Sequence, residues 1–308
     1  MTILKKIWLI IFIILAVLSC GLYAYMHITE DATGPVITVE KESIKVSVTA
    51  GDDALLRGIT ATDAADGDVT DSLLVDSMSN LYDGNKRMVT YAAFDSDQNV
   101  TKVEREIVYK DYTSPHFTQL ASFRFAVGES IDLTSLVTAE DCIDGDVTGQ
   151  IIISDQIGLD NKSVGEYEIE YSVKNSCGDT SYLPITIEVY EYEVGMMDLE
   201  LSEYLIYLER GEEEPDYTSY MTALTYGTTI YQIGEDENLY EPYITVTTTE
   251  NGVSSVEIPE DTDLTLVDRG YCSFESDVNT RKAGVYTVRL TYEGTEYYGE
   301  EILTVVVE

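Results

Sequence analysis

Polar and apolar residues follow two different rhythms along this chain. From Ile7 to Met26 there is no alternation: IWLIIFIILAVLSCGLYAYM holds no charged side chain. Everything after residue 34 is broken into short alternating runs bounded by Gly, Asn, Asp and Pro. In YEIEYSV, Tyr167, Ile169, Tyr171 and Val173 fall on one face, and Glu168, Glu170 and Ser172 on the other. A period of two predicts strands with one buried and one wet face. No long segment after residue 34 has a helical period, so the body is expected to be all-β.

The opening run, taken as a helix, spans roughly 30 Å, the thickness of a bilayer's hydrocarbon core. Lys5 and Lys6 precede it, and the next charges, Glu30 and Asp31, are acidic. The positive-inside rule then places the N-terminus in the cytoplasm and the bulk outside. Trp8, Tyr23 and Tyr25 lie near its ends, where interfacial aromatics belong. Val17-Leu18-Ser19-Cys20 has the form of a lipobox, which would make Cys20 an acylated anchor, and an ordinary cleaved signal peptide is a third reading. The apolar run continues past Cys20 through Gly21-Leu22-Tyr23-Ala24-Tyr25, which favours a retained signal anchor. A single-pass membrane protein, with the membrane as its first partner, is the expectation.

The body repeats itself. ITATDAADGDVT at 59–70 returns as VTAEDCIDGDVT at 137–148, 78 positions on. Gly51 matches Gly128, Tyr91 matches Tyr171, and each copy closes on an alternating strand, REIVYKD at 105–111 and ITIEVYE at 185–191. A third copy is diverged. Asp132-Leu133-Thr134-Ser135 aligns with Asp216-Tyr217-Thr218-Ser219, Gly128 with Gly211, and Val164-Gly165-Glu166-Tyr167 with Ala283-Gly284-Val285-Tyr286. It lacks the Asp-Gly-Asp segment and carries a longer middle, 226–282, that still reads as strands. A unit of about 80 residues is the size of one small β-sandwich. The expected order is a cytoplasmic 1–6, an anchor 7–27, a linker 28–34, and modules at 35–110, 111–192 and 193–308.

On these motifs the first two copies resemble bacterial Ig-like domains of the pesticidal-crystal-protein type, a domain-of-unknown-function family of bacterial surface proteins. The matching residues are Pro35-Val36-Ile37, the T-A-x-D-x-x-D-G-D-V-T segment, and the G-x-Y-x-I-x-Y strand. Gln98 departs from the Gly expected in the first hairpin tip, and Cys177 stands in the second. The resemblance implies tandem immunoglobulin-like β-sandwiches and surface display, without naming a ligand.

Charge sharpens the picture. Eighteen Lys and Arg face 57 Asp and Glu, for a net charge of −39. Such a body repels nucleic acid and anionic headgroups, so no nucleic-acid partner is expected. Only His27 and His116 are present, which removes most imidazole chemistry and zinc-site patterns. No Gly-rich phosphate loop, Cys-x-x-Cys or His-x-x-x-His occurs, and nothing reads as an enzyme.

Two constellations carry candidate chemistry. An Ig-like sandwich brings its second-strand loop and last hairpin to one end. That gathers Asp63, Asp66, Asp68, Asp95, Asp97 and Asn99 in the first copy, and Asp141, Asp144, Asp146, Asn175 and Asp179 in the second. Oxygen ligands on irregular backbone suit Ca²⁺, whereas the competing reading makes them turn-formers that bond their own backbone. Cys142 and Cys177 occupy the same two loops, and their first-copy counterparts are Ala64 and Asp97, so a disulfide between them is a second expectation. Cys272 has no evident mate. Tyrosine is abundant, 24 in all. Tyr204, Tyr207, Tyr217, Tyr220, Tyr226, Tyr231, Tyr240 and Tyr243 in the distal module are candidate contacts for a protein or glycan ligand, with core packing as the alternative. The expected function is a surface binding or adhesion module, and the competing expectation is an envelope spacer without a ligand.

Overall fold

The structure is a computed structural model of the chain. It describes residues 2–29, 32–154, 159–227, 229–234, 245–247, 256–257, 265–295 and 297–308. Helix α1 (Thr2–Thr29) leads, and its Ile7–Tyr25 stretch is long and apolar enough, at a mean hydropathy of 2.6, to cross a membrane. All of that stretch is exposed in the protein itself.

The first module threads seven strands through two sheets: β1 (Val36–Val39), β2 (Ser43–Val46), β3 (Ile59–Asp63), β4 (Gly67–Asp68), β5 (Leu74–Met78), β6 (Lys86–Phe94) and β7 (Val100–Tyr109). One sheet runs β1-β3-β4 and the other β2-β7-β6-β5. A five-residue helix, α2 (Asp52–Leu56), bridges β2 to β3. The opening segment changes sheets at Glu40–Glu42: β1 pairs antiparallel with β3, then β2 pairs parallel with β7. Alternation drives this arrangement. In β3, Ile59 and Ala61 are buried while Thr60 and Thr62 are exposed, and Val89, Tyr91, Ala93 and Ile107 face them from β6 and β7.

The second module repeats the topology strand for strand: β8 (His116–Gln119), β9 (Arg124–Ala126), β10 (Val137–Asp141), β11 (Gly145–Asp146), β12 (Ile152–Ser154), β13 (Gly165–Lys174) and β14 (Thr180–Tyr190), in sheets β11-β10-β8 and β12-β13-β14-β9. Ile169, Tyr171 and Val173 of β13 are buried as their alternation requires. Burying each such side chain contributes roughly 1.5–3 kcal/mol.

The third module has β15 (Met196–Leu201), β16 (Leu205–Leu208), β17 (Met221–Tyr226), β18 (Thr229–Gly234), β19 (Thr245–Thr247), β20 (Val256–Glu257), β21 (Thr265–Asp268), β22 (Cys272–Ser276), β23 (Gly284–Glu293) and β24 (Tyr298–Val307). Its pairings β15·β17, β16·β24, β22·β23 and β23·β24 match those of the other two modules. One pairing is new. The first half of β24 also takes β15 in parallel, which joins the two sheets into one of eight strands. Gly299 permits this: a Cβ there would sit 2.5 Å from a Leu224 methyl and 3.1 Å from the Met197 carbonyl. The register places Thr101 and Ser181 at that position in the other modules.

The three repeats are thus tandem Ig-like β-sandwiches behind one apolar helix. They do not form three separate units. Contacts divide the chain into two compact bodies, Met1–Tyr112 with Cys177–Asp179, and Thr113–Ser176 with Thr180–Glu308. The second and third modules therefore share one body. The second-module core, around Phe117, Ile169 and Ile187, runs on into Leu205 and is packed by Tyr207, Val285 and Val306 of the third.

Candidate functional site

The repeated Asp-Gly-Asp-Val-Thr segment turns out to be a hairpin device. Asp63 Oδ1 accepts the backbone N–H groups of Ala65 and Asp66 at 2.8 and 3.0 Å. Asp141 Oδ1 accepts those of Ile143 and Asp144, both at 2.9 Å. Gly67 and Gly145 then take φ of +78° and +71°, which a side chain would resist. Asp68 and Asp146 accept from Thr70 and Thr148 N–H, and Val69 and Val147 N–H return to Ala61 and Ala139. Asp66 and Asp144 reach across to the N–H and hydroxyl of Ser96 and Ser176. Asp95 holds Asn99, Asn175 donates to Asp141, and Asp179 accepts from Tyr112. Asp97 is exposed.

These bonds support the turn-forming reading of the aspartates over the calcium one. The carboxylates are turned onto N–H and O–H donors and do not converge. Among the described residues no three His, Cys, Asp or Glu side chains gather around a metal-sized position. The expected Cys142–Cys177 bridge is absent too, because each sulfur is directed elsewhere. Cys142 Sγ donates to the Thr113 carbonyl, and Cys177 Sγ accepts from Arg87 Nη1. Cys272 is a half-buried thiol whose pKa burial pushes up to about 11. Cys20 lies exposed within α1. Gln98, the departure noted in the first hairpin tip, adopts φ +68°, where the second tip has Gly178 at +88°.

Chemistry concentrates where the second and third modules meet. Arg124 of β9, with 4% of its side chain exposed, bonds Glu188 of β14 at 3.3 Å and Glu300 of β24 at 3.4 Å. Arg289 of β23 pairs with the same two carboxylates. Arg124 also lies over the Tyr190 ring, 4.7 Å from its centroid. Burial pushes Glu300 up, but Arg289, Tyr298 and Arg124 pull harder and hold it below the usual carboxylate range. Its neighbour Glu301 is 5% exposed and is pushed by burial up to about 7, against the pull of Ile302 N–H, Ser122 hydroxyl and Arg124. Close by, Tyr207 bridges the N–H and carbonyl of Phe117 through its hydroxyl, and Gln119 accepts from Thr304.

Beside this joint runs a tyrosine-walled groove of about 430 Å³, built from Tyr192, Val194, Met196, Met197, Tyr226, Tyr231 and Tyr297. Tyr226 is 60% exposed at the end of β17, and Tyr192 is 42% exposed. Tyr231 and Tyr297 pack with ring centroids 4.6 Å apart. A second cavity of about 430 Å³ shares Tyr192, Met196 and Met197 and is lined by Glu129, Glu200, Glu300 and Glu301.

The structure sorts the eight sequence-nominated tyrosines. Tyr217 is wholly buried against Phe274. Tyr204, Tyr207, Tyr220 and Tyr231 are half-buried, and Tyr226 is open. Tyr240 and Tyr243 lie outside the described residues. Tyr192 and Tyr297 went unnoticed in the sequence, since one sits in a linker and the other in a hairpin loop. Glu301 had a signal, a Glu-Glu pair interrupting the otherwise apolar strand YGEEILTVVV.

Sheets, hairpins and helix together define a chain of tandem β-sandwich modules behind an apolar N-terminal helix. No family model matches the chain, so the resemblance to pesticidal-crystal-type Ig-like domains rests on the motif residues alone. Over 182 residues the chain is 24% identical to an uncharacterized 81.3 kDa protein of Acholeplasma phage L2, covering 56% of this chain and 24% of that one. The chain thus spans about a quarter of that relative's length. Among solved structures, it is similar to the CBM51-2 and INT domains of Clostridium perfringens ZmpB, in complex with GlcNAc, at 23% identity and a TM-score of 0.20 over 46% of this chain and 29% of that one. It is also similar to protocadherin gamma B2 cadherin domains 3–6, at 10% identity and a TM-score of 0.22 over 89% and 73%. A third is mouse cadherin-23 EC22–24, at 15% identity and a TM-score of 0.19 over 89% and 98%. Scores this low carry nothing about ligand or partner.

Proposed function

We propose that this chain is a single-pass, membrane-anchored bacterial surface protein whose Ig-like modules stand outside the cell. In this reading it binds a neutral or cationic protein or glycan, and it is not an enzyme. The observation that carries the binding role is the open tyrosine groove on the third module, with Tyr226 60% exposed. Tyrosine offers large contact area at small entropic cost and is enriched at interfaces. The net charge of −39 works against an anionic ligand. The continuous helix past Cys20 supports a retained anchor over acylation at Cys20, and Lys5 and Lys6 support a cytoplasmic N-terminus.

The test uses the full chain in neutral-lipid nanodiscs on beads, offered host glycans, matrix proteins and cell-wall fragments. Retention that drops at least tenfold in the Tyr226→Ala, Tyr231→Ala double variant supports the groove, in line with the truncation of aromatic hot spots. Retention indifferent to both substitutions removes it. No retention at all favours the spacer reading, which the buried Arg124–Glu188–Arg289–Glu300 joint independently supports by locking two modules into one body.

A further inference from the structure

A separate cavity, of about 390 Å³, lies in the first module, far in character from the acidic surface around it. Lys41, Lys45, Arg57, Arg105 and Lys110 line it, with Glu40 as the acid among them. Five of the chain's 18 basic residues thus meet at one place in a protein that carries 57 acids. Elsewhere Lys86 pairs with Asp83 and Glu106, Lys102 with Asp76, and Arg124 and Arg289 with Glu188 and Glu300, while Arg87 and Arg269 donate to backbone carbonyls. None of the five lining this cavity is in such a pair among the described residues.

Arg105 is the sharpest of these observations. It is 1% exposed, on the core face of β7. Its guanidinium donates to the Arg57 and Leu55 carbonyls and to the Tyr91 hydroxyl. Its Nε–H has no partner. The charge is therefore met by neutral groups alone, these dipoles and the Tyr91 ring, whose centroid lies 5.1 Å from Cζ. A buried cation without a counter-charge is costly to the fold. The fold does not require it. The strand registers pair Val89 with Arg105, Ile169 with Ile185 and Val288 with Leu303, so the equivalent core position is aliphatic in the second and third modules.

We infer that this cavity is an anion site, built for a phosphate-type dianion. The ligand supplies the counter-charge that Arg105 lacks, while Lys41, Lys45, Arg57 and Lys110 close around it from the exposed rim. Five cations against one carboxylate suit a dianion better than a single carboxylate, and Arg with Lys is the usual protein surround of phosphate oxygens. The volume exceeds a bare ion and admits a phosphate-bearing organic group. The site is independent of the tyrosine groove and of any ligand bound there.

The experiment is a calorimetric titration of the full chain in neutral-lipid nanodiscs with inorganic phosphate and, separately, glycerol phosphate, at ionic strength held constant with sodium chloride. Saturable one-to-one binding of either is expected. Tighter binding of glycerol phosphate identifies a headgroup or polymer source, and equal binding a free ion. The Lys45→Gln, Arg57→Gln double variant, confined to the exposed rim, is expected to lose at least tenfold in affinity. Arg105→Ile, the residue of the second module, is expected to fold and to abolish binding. Absence of saturable heat with both probes overturns the inference, as does wild-type affinity in the rim variant or in Arg105→Ile.

Discussion

Glu301 shows what a single buried side chain does to the pH response of the protein. Its pKa stands at about 7, above the ordinary 4.5, because burial disfavours its charge. A carboxyl whose folded pKa is raised stabilises the fold fully below its unfolded value. That contribution is lost as pH rises from about 4.5 through 7, because the folded state holds its proton longer. The shift corresponds to something on the order of 3 kcal/mol. Glu300 next to it runs the other way: its depressed pKa contributes stability above the ordinary range that is lost in acid. Glu301→Gln keeps the shape, and one acceptor for Ser122, while removing the charge. Thermal unfolding of the variant is expected to match wild type near pH 5 and to lie several degrees higher at pH 8. A wild-type pH profile in the variant would show that Glu301 is not the titrating group.

Hairpins are the unit in which the aspartates act. Asp141 is 3% exposed and accepts from two backbone N–H groups and from Asn175. Asp141→Ala strands those donors, two of them at the neck of the β10–β11 hairpin, and is expected to cost about 2–4 kcal/mol in urea unfolding. The carboxylates are already engaged in this way, so the melting temperature of the wild type is expected to be the same in millimolar calcium and in chelator. A calcium-dependent rise would give these loops a metal role. The same scale explains why the third module, lacking Asp-Gly-Asp, still folds alike. Its Asp216 caps Thr218 as Asp132 caps Thr134, and Gly211 turns at φ +87° as Gly128 does at +88°.

At the scale of the whole molecule, three repeats make two bodies, because the second and third modules share a core and a buried ion cluster. Arg124 is the keystone of that cluster: its removal leaves Glu188 and Glu300 sharing Arg289 as their cation. Arg124→Ala is expected to cost about 3–5 kcal/mol. Hydrogen exchange should show the amides of β14 and β24 losing protection together. Loss confined to β9 would mean that the two modules fold independently after all.

Much of this was legible in the residues themselves. A charge-free run of membrane-spanning length, a period of two and a motif returning at a fixed offset are local properties, and local physics of helix rise and strand pleat turns them into an apolar helix and strands. The hidden alignment of Asp132 with Asp216, and of Gly128 with Gly211, was readable because cap and turn chemistry act within a few residues. Tertiary structure alone decided the direction of each carboxylate, the thiol state of Cys142 and Cys177, the pairing of β15 with β24 across Gly299, and the assembly of Tyr192, Tyr226 and Tyr297 into one groove. Those depend on which strands lie side by side, and two sheets that fold back on each other bring together residues whose spacing along the chain holds no record of the meeting.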